Sequence, residues 1–434
     1  MIFNKEIETL SSEKLKILQS ERLKKLVEYT NANSSFYKNK YKESGVSPAD
    51  IRSIEDIQKL PFTAKDDMRD NYPFGMFSAP PEETAEIHVS SGTTGNPTLM
   101  GYSKSDLDLW SEVMARSLVC AGVSKGDMVQ VAYGYGLFTG GFGAHYGALK
   151  LGATILPMSS GQTRRQILLM NSLKPTVLAC TPSYALYMAE EAAAMGLSPE
   201  QISWKIGVFG AEPWSDAMRH EVEKRLGMKA YDIYGLSEII GHGVAVACEA
   251  QEGLHFWSDV FYPEIIDPKT DKPVKDGENG ELVITTLTKT AAPLIRYRTR
   301  DIVSITYEPC KCGRTVPRIS KIKGRVDDMI IVRGVNIFPS QVEHVLLNVG
   351  KGVSPNYQIV VDRNAQYQDS IEILVELEEA IFSDSMREIA ALESAILKEM
   401  SAVLTISPKL KFVSPGTIER SEGKAKRIID KRSI

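Results

Sequence analysis

Apolar residues recur at Leu15, Leu18, Leu23, Leu26 and Val27 among lysines and glutamates, a spacing that predicts an amphipathic helix over residues 11 to 30. Beyond residue 100 the pattern becomes regular. Leu107, Trp110, Val113, Met114 and Leu118 fall at helical intervals, and the short apolar run from Met128 to Tyr133 reads as a strand. Further runs of that kind, Ala153 to Leu156, Thr176 to Cys180, Lys205 to Phe209 and Ala230 to Ile233, are separated by helical patterns. Strands alternating with helices require right-handed crossovers, so the pattern predicts an α/β fold with a mainly parallel sheet covered on both faces. From about residue 280 the texture turns β-rich, with Glu281 to Thr285 alternating and leading on to Tyr297 through Asp301. A compact tail follows, with strands expected near 329–332, 357–361 and 370–377 and helices near 339–348 and 384–402. The expected organisation is a large N-terminal domain, 1–326, with a β-rich subdomain over about 240–326, and a small α+β domain over 327–434.

Length agrees with that division, since 434 residues exceed what one hydrophobic core accommodates. A hydrophobic fraction of 43% and a charged fraction of 24% are those of a soluble globular protein. The net charge of −4 offers no basic field for nucleic acid or an anionic membrane. The N-terminus lacks the apolar core of a signal peptide and no run is long enough to span a bilayer, so a cytoplasmic protein without a membrane or nucleic-acid partner is expected.

The stretch that departs most from the pattern is Val89 to Pro97. Ser90, Ser91, Gly92, Thr93, Thr94 and Gly95 suit a loop whose backbone N–H groups and hydroxyls can wrap a polyphosphate. Pro97 stands where a P-loop requires its second glycine, which leaves a different phosphate cradle or a plain surface turn. Ligands of a parallel sheet gather beyond its C-terminal strand ends. There the chain carries Gly210-Ala211-Glu212-Pro213 and Tyr234-Gly235-Leu236-Ser237-Glu238. Glu238 can hold Mg²⁺ against phosphates with Ser237 beside it, Tyr234 can stack on adenine, Asp232 can accept from a base amine, and Asp301 can accept both ribose hydroxyls. Plainer readings stand next to these: Tyr234 as a core aromatic, Glu238 as a helix N-terminal carboxylate, Asp301 as the ion-pair partner of Arg298 or Arg300. Lys65 reads either as a ligand contact or as a solvated lysine. Tyr135, Gly136, Phe138 and Phe142 in the glycine-rich stretch suit a flat aromatic acid, unless the glycines serve close helix–sheet packing.

Taken in order, Ser90 to Pro97, Gly210 to Pro213, Tyr234 to Glu238, Tyr297 to Asp301, Gly324 to Asp327 and Gly423-Lys424 resemble the motifs of the acyl-adenylate-forming superfamily. Ala132 to Gly141, Phe261 to Ile266, Arg333 to Pro339 and the short chain resemble its phenylacetate-CoA ligase branch. The resemblance implies two steps: an acid's carboxylate attacks the α-phosphorus of ATP to give acyl-AMP and pyrophosphate, and the thiol of coenzyme A then displaces AMP. It implies that the Ser90 to Gly95 loop closes on the β- and γ-phosphates, that Glu238 ligates Mg²⁺, and that Asp301 holds the ribose. Tyr234 and the Gly210 to Pro213 turn would flank the adenine, with Gly235 and Arg325 in the same nucleotide set. Lys424 would reach the carboxylate and α-phosphate oxygens where charge builds up, although alone it reads as one exposed lysine of a basic tail. A mobile small domain turning about Asp327 and bringing the Gly334 region to coenzyme A is implied as well, as is a homodimer. ATP, Mg²⁺ and coenzyme A are then the cofactors and an aryl acid the substrate. A nucleotidyltransferase that passes AMP to a cofactor hydroxyl, or a ligand-binding homologue without turnover, are the alternatives.

Five cysteines in this length are no disulfide framework. Cys248 and His255, with Cys310 and Cys312, each lie in a short segment carrying a glycine and supply a Cys₃His set for a structural Zn²⁺. Cys120 and Cys180 sit in apolar runs and read as core.

Overall fold

The computed structural model describes residues 1–90, 96–137, 139–326, 330–332, 335–349, 352–363, 369–377, 386–404, 406–421 and 425–432. Ser91, Gly92, Thr93, Thr94, Gly95, Phe138, Asp327, Gly334 and Lys424 lie outside the described residues. Packing divides the chain into two compact units. The first comprises Met1–Cys180, Ser203–Ala211 and Lys229–Lys321, and the second Thr181–Ile202, Glu212–Met228 and Ile322–Ile434.

The first unit opens with helices α1 (Lys5–Glu8), α2 (Ser12–Asn33), α3 (Ser35–Glu43) and α4 (Lys65–Asp70). Ser11 starts α2 by accepting from the Lys14 N–H. Of the predicted apolar face, Leu15, Leu23, Leu26 and Val27 are buried, whereas Leu18 is half-buried and Gln19 takes the inward position, its amide donating to the Ser258 carbonyl at 2.8 Å. Strands β1 (Glu86–Val89) and β2 (Leu99–Tyr102) pair antiparallel. Helices α5 (Lys104–Cys120), α6 (Thr139–Leu151) and α7 (Thr163–Leu173) accompany the main sheet.

That sheet has two halves. Strands β3 (Met128–Val131), β4 (Thr154–Pro157), β5 (Val177–Cys180), β6 (Ile206–Gly210) and β7 (Lys229–Leu236) run parallel in the order β4-β3-β5-β6-β7. Every residue of β5 is buried, as expected of a strand covered on both faces. Beyond β7 the sheet turns antiparallel through β8 (Gly241–Ala247), β9 (Leu254–Phe256), β14 (Arg318–Ile319) and β13 (Ile305–Thr306). Antiparallel pairing in this sheet begins at Gly241, ahead of residue 280 where the alternation becomes visible in the sequence. Strands β10 (Phe261–Ile266), β11 (Gly280–Thr286) and β12 (Tyr297–Val303) pair antiparallel.

The glycines at 143 and 147 follow the packing alternative. They sit on α6, where a Cβ at Gly147 would come within 2.5 Å of Met114 on α5 and one at Gly143 within 2.9 Å of Trp110. Gly136, at φ +117°, has open space around it and remains a turn residue.

In the second unit α8 (Pro182–Ala194), α9 (Asp216–Leu226), β15 (Gly324–Arg325) and the hairpin β16 (Ile330–Val332) and β17 (Val335–Ile337) accompany α10 (Pro339–Val349) and α11 (Met386–Leu404). Strands β18 (Val353–Arg363), β19 (Asp369–Leu377), β20 (Lys409–Val413) and β21 (Ile428–Asp430) form a mixed sheet in the order β20-β19-β18-β21. Val342, Leu346, Ile359, Ile373, Ile396 and Met400 are among the residues of its core.

Candidate active site

The root of the Ser90 loop is fixed by two segments. The Ser90 N–H donates to the Thr98 carbonyl at 3.0 Å, and its hydroxyl contacts that of Thr98. The Leu137 carbonyl, in the glycine-rich stretch, accepts from the Val89 N–H at 3.0 Å and lies 3.2 Å from Nδ1 of buried His88. Nε2 of His88 meets Glu86 at 2.6 Å, and Glu86 also accepts from the Tyr146 hydroxyl at 2.6 Å. A polar chain centred on buried His88 thus couples the strand entering the loop to the glycine-rich stretch.

At the end of β7 the structure brings predicted residues together. Tyr234 and Gly235 belong to the strand instead of following it, because β8 pairs back and prolongs β7 to Leu236. A register shift falls between Tyr234 and Gly235, where a Cβ on Gly235 would strike the Gly241 carbonyl at 1.9 Å. The buried Tyr234 hydroxyl donates to Asp301 at 2.6 Å, while Arg298 pairs with Glu281 and Asp271 at 2.6 and 2.8 Å. Asp301 thus faces Tyr234, and the arginines expected beside it serve Glu281. Asp232 is buried on the same strand.

Glu238 sits in the turn after β7, and its carboxylate meets the Lys65 ammonium at 3.2 Å. Two residues read separately, one as a magnesium ligand and one as a ligand contact or a solvated lysine, are therefore an ion pair. Ser237 shares a hydroxyl bond with Thr139 at the start of α6, at 3.0 Å. Phe142 lies on that helix, its ring 5.3 Å from Tyr135 and edge-on, and the Tyr135 hydroxyl is 3.2 Å from Nδ1 of His145. At the end of β6, a Cβ on Gly210 would meet the Ile233 carbonyl at 2.1 Å, and Ala211 takes a left-handed φ of +72°.

Within the second unit, Glu212 accepts from the Ser183 N–H at 2.6 Å and the Ala425 N–H at 3.0 Å. Glu212, Pro213 and Arg325 line a cavity of about 240 Å³ together with Ser183, Glu343 and Tyr357.

The comparisons with known proteins decide the family. The family model described as AMP-binding enzyme matches residues 14–288, and that of the AMP-binding enzyme C-terminal domain matches residues 334–432. The chain belongs to the AMP-binding enzyme family. It is 48% identical to a phenylacetate-coenzyme A ligase of Thermus thermophilus, with 100% of both chains covered. To the phenylacetate-coenzyme A ligase of Escherichia coli (strain K12) it is 47% identical over 99% of this chain and 97% of the relative. Among solved structures it resembles 2-hydroxyisobutyryl-CoA ligase in the postadenylation state with 2-HIB-AMP, at a TM-score of 0.92 and 30% identity, covering 98% of this chain and 91% of that one. Such agreement over full length makes the chain an acid–thiol ligase of the family.

Residues that the sequence did not single out complete the picture. Lys289 is buried beside the Glu238 turn, and it is the one charged residue between Glu281 and Arg296, a signal that was available. His242 is buried against Tyr133, with ring centroids 4.6 Å apart, and burial pushes its imidazole down to about 4.

Away from these residues, the Cys₃His set assembles as expected. Cys248 follows β8, His255 lies on β9, and Cys310 and Cys312 sit in the turn between β13 and β14, so the β9–β14 pairing joins the two halves. Their four ligand atoms lie within 4.8 Å of one another. The sulfurs of Cys248 and Cys310 are 3.7 Å apart, and Cys312 Sγ is 3.3 Å from Nε2 of His255. Burial pushes the Cys248 thiol up to about 12; at Cys312 burial is outweighed by His255 and Arg314, which hold it down to about 5. Cys120 and Cys180 are buried, as core residues should be. No helix among the described residues is long and apolar enough to cross a membrane.

Proposed function

We propose that the chain activates phenylacetate or a close aryl acid with ATP and transfers the acyl group to coenzyme A. The observation that carries the choice of acid is the aromatic pair of Tyr135 and Phe142, the latter on the helix whose Thr139 bonds Ser237. Their ring faces suit a flat apolar body next to the residues we assign to the phosphates. The full-length relatives named phenylacetate-coenzyme A ligase support the same reading.

In this reading Glu238 and Ser237 would hold Mg²⁺, which neutralises phosphate charge when bound, and Lys65 exchanges its ion pair with Glu238 for the acid's carboxylate. Asp301, oriented by Tyr234, accepts from the ribose hydroxyls, and the Gly210 to Pro213 turn lies along the adenine. The Ser90 to Gly95 loop closes on the outer phosphates. Lys424 brings positive charge to the α-phosphate and carboxylate oxygens as the acyl-adenylate forms, and residues 327–434 then turn about Asp327 so that the Gly334 region meets coenzyme A. These are acts of positioning and charge compensation, which dominate phosphoryl-type chemistry. Free cysteines fit a reducing cytoplasm, where we place the protein. We add a homodimer to this reading on the family likeness, which light scattering tests.

The Cys₃His set we assign to a structural zinc. Tetrahedral bonds of about 2.3 Å would separate two sulfurs by about 3.8 Å. The observed 3.7 Å fits that figure and is far beyond a disulfide bond. Four protein ligands leave no open position, so the ion would serve the fold.

Mass spectrometry of products from ATP, Mg²⁺, coenzyme A and a panel of aryl acids tests the functional reading. It expects AMP, pyrophosphate and an aryl thioester; AMP joined to another acceptor, with no thioester, would support a nucleotidyltransferase.

A further inference from the structure

Lys289 follows β11 and is 1% exposed. Burying an ammonium is costly unless something compensates it. No carboxylate pairs with it among the described residues. Instead its Nζ donates to the Ile239 carbonyl at 3.1 Å and stands 4.5 Å from the centroid of the Tyr102 ring. Tyr102 is itself fully buried, and its hydroxyl donates to the Ser237 carbonyl at 3.2 Å. The carbonyls of Ser237 and Ile239 are those on either side of Glu238. One stacked pair, an ammonium on an aromatic face, therefore holds both backbone groups that flank Glu238.

The pair is anchored from behind. Asp106, in the first turn of α5, accepts from the Ser103 N–H at 3.0 Å and also from the Thr290 and Ala291 N–H groups at 2.8 and 2.9 Å. The segment carrying Lys289 is thus fastened to the start of a long helix, and Tyr102 ends the strand just before that helix. Burial pushes the ammonium down to about 8, while Asp106 and Glu238 act to raise it. Such an arrangement is a poor way to gain stability alone, since an apolar side chain of similar length would fill the space without that cost. What it provides is a fixed frame for the turn.

We propose that Lys289 is a positioning residue of the adenylation half-reaction, acting with Tyr102 to hold the Ser237–Ile239 turn so that the Glu238 carboxylate stands where the metal–nucleotide complex needs it. The inference rests on the reading of Glu238 as the residue that meets Mg²⁺ and the phosphates. Displacement of about 1 Å at such a group costs on the order of 10²-fold in rate.

The test uses the full-length enzyme with Lys289→Met, Tyr102→Phe and Glu238→Gln, and follows three readouts. These are pyrophosphate release, thioester formation from supplied acyl-adenylate, and thermal stability. Lys289→Met is expected to slow pyrophosphate release by about 10- to 100-fold and to raise the Mg²⁺ concentration for half-maximal rate, as loss of a positioned carboxylate would. Thioester formation from acyl-adenylate should stay within about twofold of the native rate, and the melting temperature should hold or rise, which a merely structural lysine would not give. Tyr102→Phe keeps the ring and removes only the hydroxyl bond, so it should show the same selective loss in smaller measure even if Lys289→Met fails to fold. Native pyrophosphate release and Mg²⁺ dependence in the folded variants, or equal losses in both half-reactions, would overturn the inference. Glu238→Gln separates the two levels. Slow adenylation in Glu238→Gln with native behaviour in Lys289→Met refutes only the positioning role, whereas native adenylation in Glu238→Gln refutes the reading beneath it.

Discussion

Replacing Cys310 and Cys312 by serine should remove the metal and lower thermal stability while leaving ATP affinity nearly unchanged. The ion would join Cys248 and His255 to a turn about 60 residues further on, and closing so long a loop restricts the unfolded chain. Structural zinc contributes roughly 10 to 16 kcal/mol of apparent binding free energy in small peptides, where metal and fold form together. Here the β9–β14 pairing already brings the two halves into register, and Arg314 already donates to Cys312 at 3.5 Å and to Glu8 at 2.7 Å, so much of the order exists without the ion. About 5 kcal/mol is then a reasonable contribution. An unfolding entropy near 2.1 cal/mol/K per residue, summed over a chain of 434 residues, makes that a fall in melting temperature of about 5 °C. Elemental analysis of protein purified without chelator should find about one zinc per chain, and calorimetry should show the downward shift in the double variant and in chelated native protein. Metal-free native protein, or a double variant melting with the native enzyme, would refute the reasoning and leave the ligase reading untouched.

Lys424→Ala should slow pyrophosphate release by about 10²- to 10³-fold and spare thioester formation from supplied acyl-adenylate, as loss of one positioned charge at a developing anion would; equal loss in both steps would contradict the two-position scheme. His242 is held neutral by burial, with its folded value near 4 against the ordinary 6.5. The unfolded chain therefore binds the extra proton first, so stability is full above about pH 6.5 and is lost as pH falls toward 4, by on the order of 3 kcal/mol. Denaturant titrations of native protein and His242→Phe across that window should differ in slope, and parallel curves would refute the assignment.

The short apolar runs of the parallel half were legible because strands covered on both faces have no polar side to blur them, as Val177 to Cys180 illustrates. Within the antiparallel half β8 drew no strand expectation of its own, because it is buried throughout and has no alternation to announce one. The same pairing drew Tyr234 into β7, where the sequence suggested a loop. Strands β20 and β21 escaped notice because lysines interrupt the first and arginine and lysine flank the second, while their pairing is parallel and supplied from far along the chain. Residue type alone revealed the Cys₃His set, since thiols and imidazole in glycine-bearing turns have few other uses in such a chain. Lys289 was missed for the opposite reason: its meaning lies in Tyr102 and Ile239, which the sequence does not place beside it.

The measurement that bears most directly on the central claim is the fate of the acyl group when purified enzyme is given phenylacetate, ATP, Mg²⁺ and coenzyme A. The account predicts equal amounts of phenylacetyl-CoA, AMP and pyrophosphate by mass spectrometry, and acyl-AMP with pyrophosphate when coenzyme A is withheld. ADP and phosphate in place of AMP and pyrophosphate, or no thioester from any aryl acid, would contradict it.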